Sequence, residues 1–559
     1  MYQGARRALS PTMTTRVEPM PDVHSPAPPA RRKKMPDAAE LLGSLPSRFG
    51  PLWRTLQSAP PAERVVNRWL INKGVTVVPP RPYALSTKAD FTSQDTLTDK
   101  TYNTRQLPPA DPGYVESLPD AQAVVELFRR EQFIPCEKST VLFAYVAQWF
   151  TDGLLRSDRS VPDKDVRDIR RNESTHEVDI AQLYGLNDAT TQMLRDPREP
   201  MLLAYQGEPG AELPPALYDA AGARLDRFAT LRTVGEKKPD DKVDKTQLLA
   251  MGSDAGNTQI GYAMLNTLFL REHNRIAREI AAANAGWSDD RVFAAARSVL
   301  TVLLIKVVIE EYINHITPYH FRFRMDPRGF DRQPWMRPNW TAVEFNLLYR
   351  WHSLIPSELN VGSQNDLELE ATMFRTRRFL ETEGLAALFD SASRQRAGRV
   401  GLRNTAEPLR WMADVHTIEH GRTVKLRSYN EYRAASRFKP VQTFEEISSD
   451  PATVARLREL YDGNVANVEF YVGLMAEDPR PNSVLGPLVG RLVGLHAFSQ
   501  LMTNPLFAPE IYGPQTFSER GMQIIKETRS LSEMVQRNVA AEGGGTPLVA
   551  LTRTDWRHS

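Results

Sequence analysis

A tyrosine and a histidine three residues apart are the residues of this chain whose types and spacing best suit redox chemistry. Tyr349 and His352 lie in the apolar stretch 344–352, which has no glycine or proline and is followed by Pro356. The pattern predicts one buried helix ending near this proline, with both side chains on one helix face. Buried imidazole and phenol groups need polar partners, and a haem iron is one partner for an imidazole. A nearby phenol could then become a radical; the alternative is two core residues with ordinary hydrogen bonds.

The stretch EFNLLYRWHSLIP resembles the proximal helix of the cyclooxygenase (prostaglandin synthase) branch of the animal-type haem peroxidases. The resemblance implies that His352 is the proximal iron ligand and that Tyr349 is the radical that takes hydrogen from a fatty acid. Further similar blocks follow in order over about residues 60–540, which makes the resemblance more specific than a single motif. It implies a mainly α-helical, cyclooxygenase-like haem peroxidase fold with short amphipathic N-terminal helices.

Residues 141–152, VLFAYVAQWFTD, resemble the distal helix of that family, in which a glutamine and a histidine four residues apart face the haem. Gln148 is present, whereas Asp152 occupies the histidine position. The resemblance implies catalytic and haem-binding roles for both. An aspartate is ionised at neutral pH unless burial raises its pKa, so we predict weakened peroxide activation. The alternative is that Asp152 is a solvated helix residue.

The resemblance also implies a substrate channel. Lys73 and Tyr319 would orient the fatty-acid carboxylate at its mouth, although a lysine lacks the bidentate fork of an arginine and is often simply solvated at a helix end. Tyr312 matches the tyrosine that hydrogen-bonds the radical tyrosine, and the acylatable serine of the family falls at Ala497 or Ser499, depending on one gap. The predicted substrate-binding residues are Lys73, Tyr312, Ile313, Ile316, Tyr319, Phe345, Leu348, Trp351, Ala497 and Ser499.

Composition is that of an ordinary globular protein, since 41% of the 559 residues are hydrophobic and 25% are charged. The net charge of +2 gives no case for nucleic-acid binding, and Cys136 as the single cysteine excludes an internal disulfide framework. We see no apolar leader. The longest apolar run, 299–309, contains Thr301 and Lys306, so it is predicted to be a core helix and not a membrane span. These features predict a cytoplasmic or peripheral membrane location.

Four segments are predicted along the chain. Residues 1–36 are a basic tail rich in proline, predicted to be disordered. Residues 37–74 form short amphipathic helices that either lie in a membrane interface or pack on the main body. Residues 75–540 form the haem domain, and 541–559 form a C-terminal tail predicted to be disordered.

One metal motif competes with the haem interpretation. His416, Glu419 and His420 fit the H-x-x-E-H pattern of inverted zinc metalloproteases, but no third ligand is evident. The other two conspicuous histidines, His176 and His273, match family positions with a structural role.

The sequence therefore predicts a haem-dependent fatty-acid dioxygenase that uses a tyrosyl radical, takes O₂ and has weakened peroxidase activity. The resemblance implies a non-covalent haem b, because residues 253–267 contain no glutamate where the mammalian peroxidase branch has the one that esterifies its haem; Asp254 is the carboxylate there. Oligomeric state stays open, with a homodimer among the alternatives. The competing functions are a haem peroxidase of small phenols or halides, with Asp152 as acid–base, and a degenerate haem- or lipid-binding protein.

Overall fold

The computed structural model describes residues 50–77, 85–158, 168–234, 243–410, 414–543 and 545–558. These residues are mainly helical, which confirms the predicted fold class. The longer helices are α1 (Gly50–Gln57), α2 (Pro60–Val75), α3 (Val141–Asp152), α4 (Ile260–Ala283), α5 (Asp289–Val307), α6 (Thr376–Arg394), α7 (Val415–Thr423), α8 (Pro451–Leu460), α9 (Pro487–Met502), α10 (Pro514–Glu527) and α11 (Leu531–Val539).

Short helical turns and two-stranded sheets connect the longer helices. The short α-helices are Gln94–Thr98, Pro112–Glu116, Ala121–Val125, Ala181–Tyr184, Asp188–Leu194, Asn314–Ile316, Val343–Leu348, Leu369–Thr372, Glu407–Leu409, Tyr429–Ala435 and Phe470–Ala476. The 3₁₀ turns are Glu126–Phe128, Asp226–Phe228, Lys245–Gln247, His352–Leu354, Phe444–Glu446, Val465–Asn467, Pro505–Phe507 and Ala540–Glu542. The antiparallel strand pairs are β1 (Leu85–Ser86) with β2 (Thr104–Arg105), β3 (Pro135–Thr140) with β6 (Arg396–Gly398), and β4 (Glu358–Val361) with β5 (Gln364–Glu368).

Helices α4 and α5 form the centre of the core. Both are apolar on most faces, which is the pattern of helices surrounded by other elements. Helix α5 continues through a π-helical turn, Val308–Ile313, into Asn314–Ile316. The combined helix Asp289–Ile316 is long and apolar enough to cross a membrane, but 78% of its most apolar window is buried inside the protein. This burial agrees with the predicted core helix.

The N-terminal helices α1 and α2 have two different faces. Pro60 and Pro61 begin α2 and separate it from α1. The inner face of α2 buries Ile71 and Val75, and the helix packs against α9. The outer faces expose Leu52, Val65 and Trp69 at 54%, 68% and 52%. The helices thus pack on the main body and keep an apolar outer surface; residues 1–49, including the predicted basic tail, lie outside the described residues.

The proximal stretch is not one continuous helix, in contrast to our prediction. Its α-helix spans Val343–Leu348, and a separate 3₁₀ turn spans His352–Leu354. Between them Trp351 has φ −99° and ψ 53°, which lies outside the helical region. The three-residue spacing therefore does not place Tyr349 and His352 on one helix face.

Residues near the C-terminus pair with the strand that precedes α3. The backbone N–H of Thr140 donates to the Leu551 carbonyl at 3.1 Å, and Ser139 forms an antiparallel bridge with Thr552. Leu551 is buried. Residues 551–553 are therefore paired with β3, and Leu548 and Ala550 bond to α6, which differs from the disordered tail expected from the sequence.

Candidate active site

A cavity of about 440 Å³ lies between α3 and the segment that follows Val343–Leu348. Gln148 and Asp152 line it from α3, and Tyr349 and His352 line it from the opposite side. Most of the remaining wall is apolar, and includes Ala144, Ala147, Leu155, Ala255, Leu354, Ile355, Leu359, Leu369 and Leu409. The four residues predicted as catalytic or haem-binding from separate sequence blocks therefore meet in one cavity.

His352 is oriented by a carboxylate. Its Nδ1 lies 2.6 Å from Oδ1 of Asp414, which is fully buried. With Nδ1–H donating to Asp414, the other ring nitrogen, Nε2, is the atom left to coordinate a metal. The hydroxyl of Tyr471 donates to the Arg350 carbonyl at 2.5 Å, and the nearby Asp414 carboxylate adds to burial in raising the pKa of Tyr471. This side of the cavity thus has the imidazole–carboxylate pair typical of protein metal ligands.

Tyr349 lies in an aromatic cluster, and its hydroxyl is buried without a hydrogen-bond partner among the described residues. Its ring centroid lies 4.9 Å from Trp351, 5.3 Å from Phe345 and 6.4 Å from Tyr312. Burial raises the pKa of Tyr349, so the phenol is protonated at neutral pH. The Tyr312 hydroxyl interacts with that of Tyr349 and partly offsets the effect of burial on the Tyr349 pKa, although no hydrogen bond of regular geometry joins the two hydroxyls.

Three hydrogen-bond donors bind one carboxylate oxygen of Asp152. Its Oδ2 accepts from Arg156 Nη1 at 2.9 Å, from Ser253 Oγ at 2.7 Å and from the Tyr262 hydroxyl at 2.7 Å. Arg156 is 2% exposed and also donates to Asp254 at 2.7 Å. The neighbouring carboxylates raise the pKa of Arg156, which therefore stays charged. The Asp152 carboxylate is therefore held in a buried hydrogen-bond network beside a permanent cation, on the α3 side of the cavity.

Gln148 is the exposed polar side chain on the cavity face of α3. Its Oε1 accepts from Gln259 Nε2 at 2.7 Å, and Gln259 in turn caps α4 through its own Oε1. At the same contact between helices, a Cβ on Gly261 would collide with the ring of Tyr145, so only glycine allows this close approach. The Gln259 bond therefore occupies the oxygen of the Gln148 amide, and Gln148 lines the cavity.

The predicted channel residues are buried around the tyrosine cluster. Exposure is 5% or less for Tyr312, Ile313, Ile316, Phe345, Leu348, Trp351, Ala497 and Ser499. The predicted carboxylate ligands lie farther out: Lys73 is exposed at the C-terminal end of α2, and Tyr319 is half-buried with its ring centroid 6.0 Å from Phe323. Within the described part of the chain, Lys73 has no hydrogen bond or ion pair, and no contact joins it to Tyr319.

The competing metal motif does not assemble. His416 is exposed, whereas His420 is buried, and Glu419 lies 3.7 Å from His416. The described residues contain no group of three or more metal-binding side chains.

The two other histidines have the expected structural contacts. The ring of His176 bonds the Lys100 carbonyl and the Thr341 amide, and His273 bonds the Tyr184 hydroxyl.

Sequence reasoning missed Asp414, Arg156 and Gln259. Arg156 could have been found, because it follows Asp152 by four residues and such pairs interact on a helix-like turn. Asp414 is 62 residues from His352 in sequence, and no pattern links the two. Gln259 is likewise a long-range partner of Gln148.

Comparisons with known proteins decide the family. The family model described as animal haem peroxidase matches residues 154–546. The chain belongs to the animal haem peroxidase family. It falls in the cyclooxygenase-like branch: it is 31% identical over 470 residues to prostaglandin G/H synthase 1 of Mus musculus, which covers 82% of this chain and 74% of the relative. It is 29% identical over 520 residues to prostaglandin G/H synthase 2 of Equus caballus, and the match covers 91% of this chain and 81% of the relative.

Solved structures show the same fold. Fatty acid alpha-dioxygenase of Oryza sativa superposes with a TM-score of 0.65 at 18% identity, over 88% of this chain and 92% of that chain. Peroxidase A of Dictyostelium discoideum superposes with a TM-score of 0.61 at 17% identity, over 86% of this chain and 97% of that chain.

Members of this peroxidase family bind iron haem, and the residues of the cavity fit that group. His352 supplies a nitrogen whose tautomer is fixed by Asp414. Ala144 and Ala147 leave room on the α3 side, and the apolar wall suits the porphyrin faces.

Proposed function

We propose that this chain is a haem-dependent fatty-acid dioxygenase in which Tyr349 takes hydrogen from the substrate before O₂ adds. One observation carries the proposal: Tyr349 lines the same cavity as His352, while its half-buried ring also contacts the apolar residues predicted to line the channel. Relatives named as fatty acid alpha-dioxygenases, one solved with palmitic acid, support a fatty acid as the substrate class.

When bound and activated by a hydroperoxide, the haem supplies the one-electron oxidant for a phenol. His352 holds this group and Asp414 orients His352. Loss of an electron and the hydroxyl proton converts Tyr349 into a tyrosyl radical. The radical removes a hydrogen atom from a fatty-acid carbon and becomes a phenol again. O₂ adds to the carbon radical, and the resulting peroxyl radical takes a hydrogen atom from Tyr349, which gives the hydroperoxide and restores the tyrosyl radical.

The protein environment of Tyr349 favours a neutral phenol that is reused in each cycle. The Tyr349 hydroxyl makes no regular hydrogen bond among the described residues, and the hydroxyl that interacts with it belongs to another buried phenol, Tyr312, so abstraction competes with no strong local bond. The rings of Phe345 and Trp351 surround it and exclude water from the radical. This apolar shell suits an apolar hydrocarbon chain.

Weakened peroxidase activity follows from the distal side. Three donors hold Oδ2 of Asp152, and the Arg156 cation keeps the carboxylate ionised. An ionised carboxylate with one oxygen held by three donors is a poor carrier of the peroxide proton. We assign Gln148 the role of hydrogen-bond donor to the distal ligand, and haem binding is non-covalent because Asp254 is bonded to Arg156.

Lys73 and Tyr319 would bind the substrate carboxylate. The Lys73 ammonium is exposed at the end of α2 and has no ion pair among the described residues. The exposed Leu52, Val65 and Trp69 on the outer faces of α1 and α2 support peripheral contact with a membrane, where fatty acids are dissolved.

The deciding experiment compares Tyr349→Phe with Tyr145→Phe. Tyr145 is a matched control, because it lines the same cavity and its buried hydroxyl also lacks a partner among the described residues. Oxygen uptake by haem-loaded protein is measured with C16 to C20 fatty acids and a trace of hydroperoxide. We expect uptake by the wild type and by Tyr145→Phe, and none by Tyr349→Phe with an unchanged Soret band.

Two outcomes would contradict the proposal. If Tyr349→Phe consumes oxygen like the wild type, Tyr349 has a structural role. If no protein consumes oxygen but all oxidise guaiacol with peroxide, the chain is a peroxidase of small reductants.

A further inference from the structure

Positive charge is concentrated on the surface that α1 and α2 form with residues 320–332. Residues 50–77 and 320–332 together contain eight lysine or arginine side chains and three carboxylates. The whole chain, in contrast, is nearly balanced, with 70 basic and 68 acidic residues. We call these two segments together the basic surface. A local excess of positive charge of this kind attracts anionic partners.

Two amide side chains hold the two segments of the basic surface together. Gln57 donates to the Arg322 carbonyl at 3.0 Å and accepts from the Arg322 backbone N–H at 3.1 Å. Asn67 makes the same pair of bonds with the Arg324 backbone, at 2.9 Å and 3.0 Å. Because each backbone position is fixed by two hydrogen bonds, the arginines of this segment have defined positions beside α1 and α2.

A pocket of about 420 Å³ lies on the basic surface between α2 and residues 324–328. Four arginines and two carboxylates line it. Two of the arginines are neutralised by those carboxylates, since Arg68 pairs with Asp326 at 2.6 Å and Arg324 pairs with Glu63 at 3.5 Å. Arg324 also pairs with Glu310 at 3.0 Å. The acidic groups of the pocket are therefore used by these two arginines.

The other two arginines of the pocket, Arg64 and Arg328, are available to an anion. Both are exposed. Arg64 has no ion pair in the part of the chain that the structure describes, and Arg328 has a long one, with Asp331 at 3.7 Å. Guanidinium groups match the oxygens of a phosphate through two parallel N–H donors. The pocket thus has the charge and the donors that a phosphate ester requires.

Exposed apolar side chains lie next to this pocket. Val65 and Trp69 on α2 are 68% and 52% exposed, and each follows an arginine of the pocket by one residue. The two apolar side chains are four residues apart, so they form a row beside the row of arginines. Ile511 is 40% exposed and precedes Tyr512, which lines the pocket. Basic residues beside tryptophan and aliphatic side chains are typical of helices that lie in a membrane interface.

We propose that the pocket binds the phosphate of an anionic phospholipid through Arg64 and Arg328, while Val65 and Trp69 enter the boundary between headgroups and acyl chains. The inference rests on the membrane contact proposed above and adds which lipid is bound. Apolar side chains gain similarly from neutral and anionic bilayers. The phosphate of phosphatidylcholine is compensated by its own ammonium group, whereas that of phosphatidylglycerol is not. The two arginines would therefore select anionic membranes.

Sedimentation with vesicles tests the proposal on the full-length, haem-loaded protein. The vesicles contain phosphatidylcholine alone or phosphatidylcholine mixed with phosphatidylglycerol. Residues 31–34 are all basic, so they are replaced by alanine in every protein, including the reference, to remove their own attraction to anionic lipid. The test variants are Arg64→Gln with Arg328→Gln, and Arg64→Lys with Arg328→Lys. The control is Arg375→Gln with Arg378→Gln, which removes two exposed charges at the start of α6.

We expect the double glutamine variant to bind vesicles with phosphatidylglycerol about 10- to 30-fold more weakly than the reference, since each basic side chain near an anionic surface contributes about fivefold. Its binding to phosphatidylcholine alone should not change. The double lysine variant should fall between the two, because it keeps the charge without the forked donors. The control should match the reference. Trp69→Ser should weaken binding to both kinds of vesicle by a similar factor.

Two results would overturn the inference while leaving the membrane contact in place. One is equal binding of the reference to both kinds of vesicle, and the other is a double glutamine variant that binds like the control. Failure of the reference to bind either vesicle would overturn the membrane contact together with the inference. Oxygen uptake is measured separately without vesicles, so the dioxygenase proposal stands or fails independently of these results.

Discussion

The two walls of the cavity use buried carboxylates in opposite ways. On the proximal wall, Asp414 makes one short bond to His352 and thereby orients its ring toward the cavity. On the distal wall, Asp152 takes three hydrogen bonds on one oxygen and is paired with Arg156. The same side chain is a positioning group when its partner is titratable and a fixed structural charge when its partner is an arginine. A carboxylate in an active site must therefore be judged by its donors before a catalytic role is assigned.

The largest predicted effect is a loss of folding stability when Arg156, the buried cation of the distal wall, is replaced. Arg156→Met would leave Asp152 and Asp254 buried without their shared partner, and breaking a buried ion pair in this way costs about 3–5 kcal/mol. We expect a clearly lower denaturant midpoint, measured by circular dichroism. Arg394→Met, which removes an exposed pair with Asp390, is the control and should change the midpoint little. Equal midpoints for the two variants would mean that the Arg156 network does not stabilise the distal wall.

Asp414→Asn probes the proximal wall. Replacing a partner of a metal-ligating histidine lowers metal affinity or activity by about 10–100-fold. We expect weaker haem binding in a Soret titration and a higher Fe(III)/Fe(II) potential, because the histidine loses electron donation from a carboxylate. His352→Ala should lose the haem spectrum altogether, and exposed His416→Ala should not change it. An unchanged potential in Asp414→Asn would show that the 2.6 Å bond has no influence on the metal.

The role of Asp152 on the distal wall can be tested by replacing it with histidine. Asp152→His places a group that titrates near neutral pH where a fixed carboxylate stands, and we expect guaiacol peroxidation to rise by about 10-fold. Asp152→Asn should leave that activity close to the wild type. A large loss of peroxidation in Asp152→Asn would instead establish Asp152 as the acid–base residue.

The smallest effect should come from Gln259→Ala, which frees Gln148 to rotate. We expect the affinity for a distal haem ligand to change by about two- to threefold, at the lower end of what one neutral hydrogen bond of about 0.5–1.5 kcal/mol contributes. The dissociation constant of cyanide, a distal ligand, provides the measurement. A change as large as that in Gln148→Ala would show that orientation by Gln259 accounts for the whole contribution of Gln148.

The residues that line the site could be predicted from short sequence motifs, whereas their long-range partners could not. The residues Gln148, Asp152, Tyr349 and His352 could be placed from sequence because each belongs to a short block with its own pattern, and the cavity brings them together. The end of the helix between Tyr349 and His352 could not be predicted from the sequence. The apolar stretch has no glycine or proline at that point, and tertiary packing sets its backbone conformation.

The partners of these residues were harder to predict for a physical reason. Asp414 and Gln259 reach the cavity from distant segments, and a carboxylate or amide far along the chain carries no periodic signal. Arg156 is the exception, since its four-residue spacing from Asp152 was visible.

The pairing of β3 with residues 550–552 has a consequence for biosynthesis. Thr140 and its partner Ala550 are 410 residues apart in the chain. A ribosome that adds about 5–20 residues per second separates their emergence by roughly 20–80 s. Throughout that interval the strand leading into α3 has an unsatisfied edge, the kind of surface that invites wrong pairing or chaperone capture. Yield in a heterologous host should therefore respond to translation speed and chaperone supply, and any fragment that stops short of residue 550 would retain that open edge permanently.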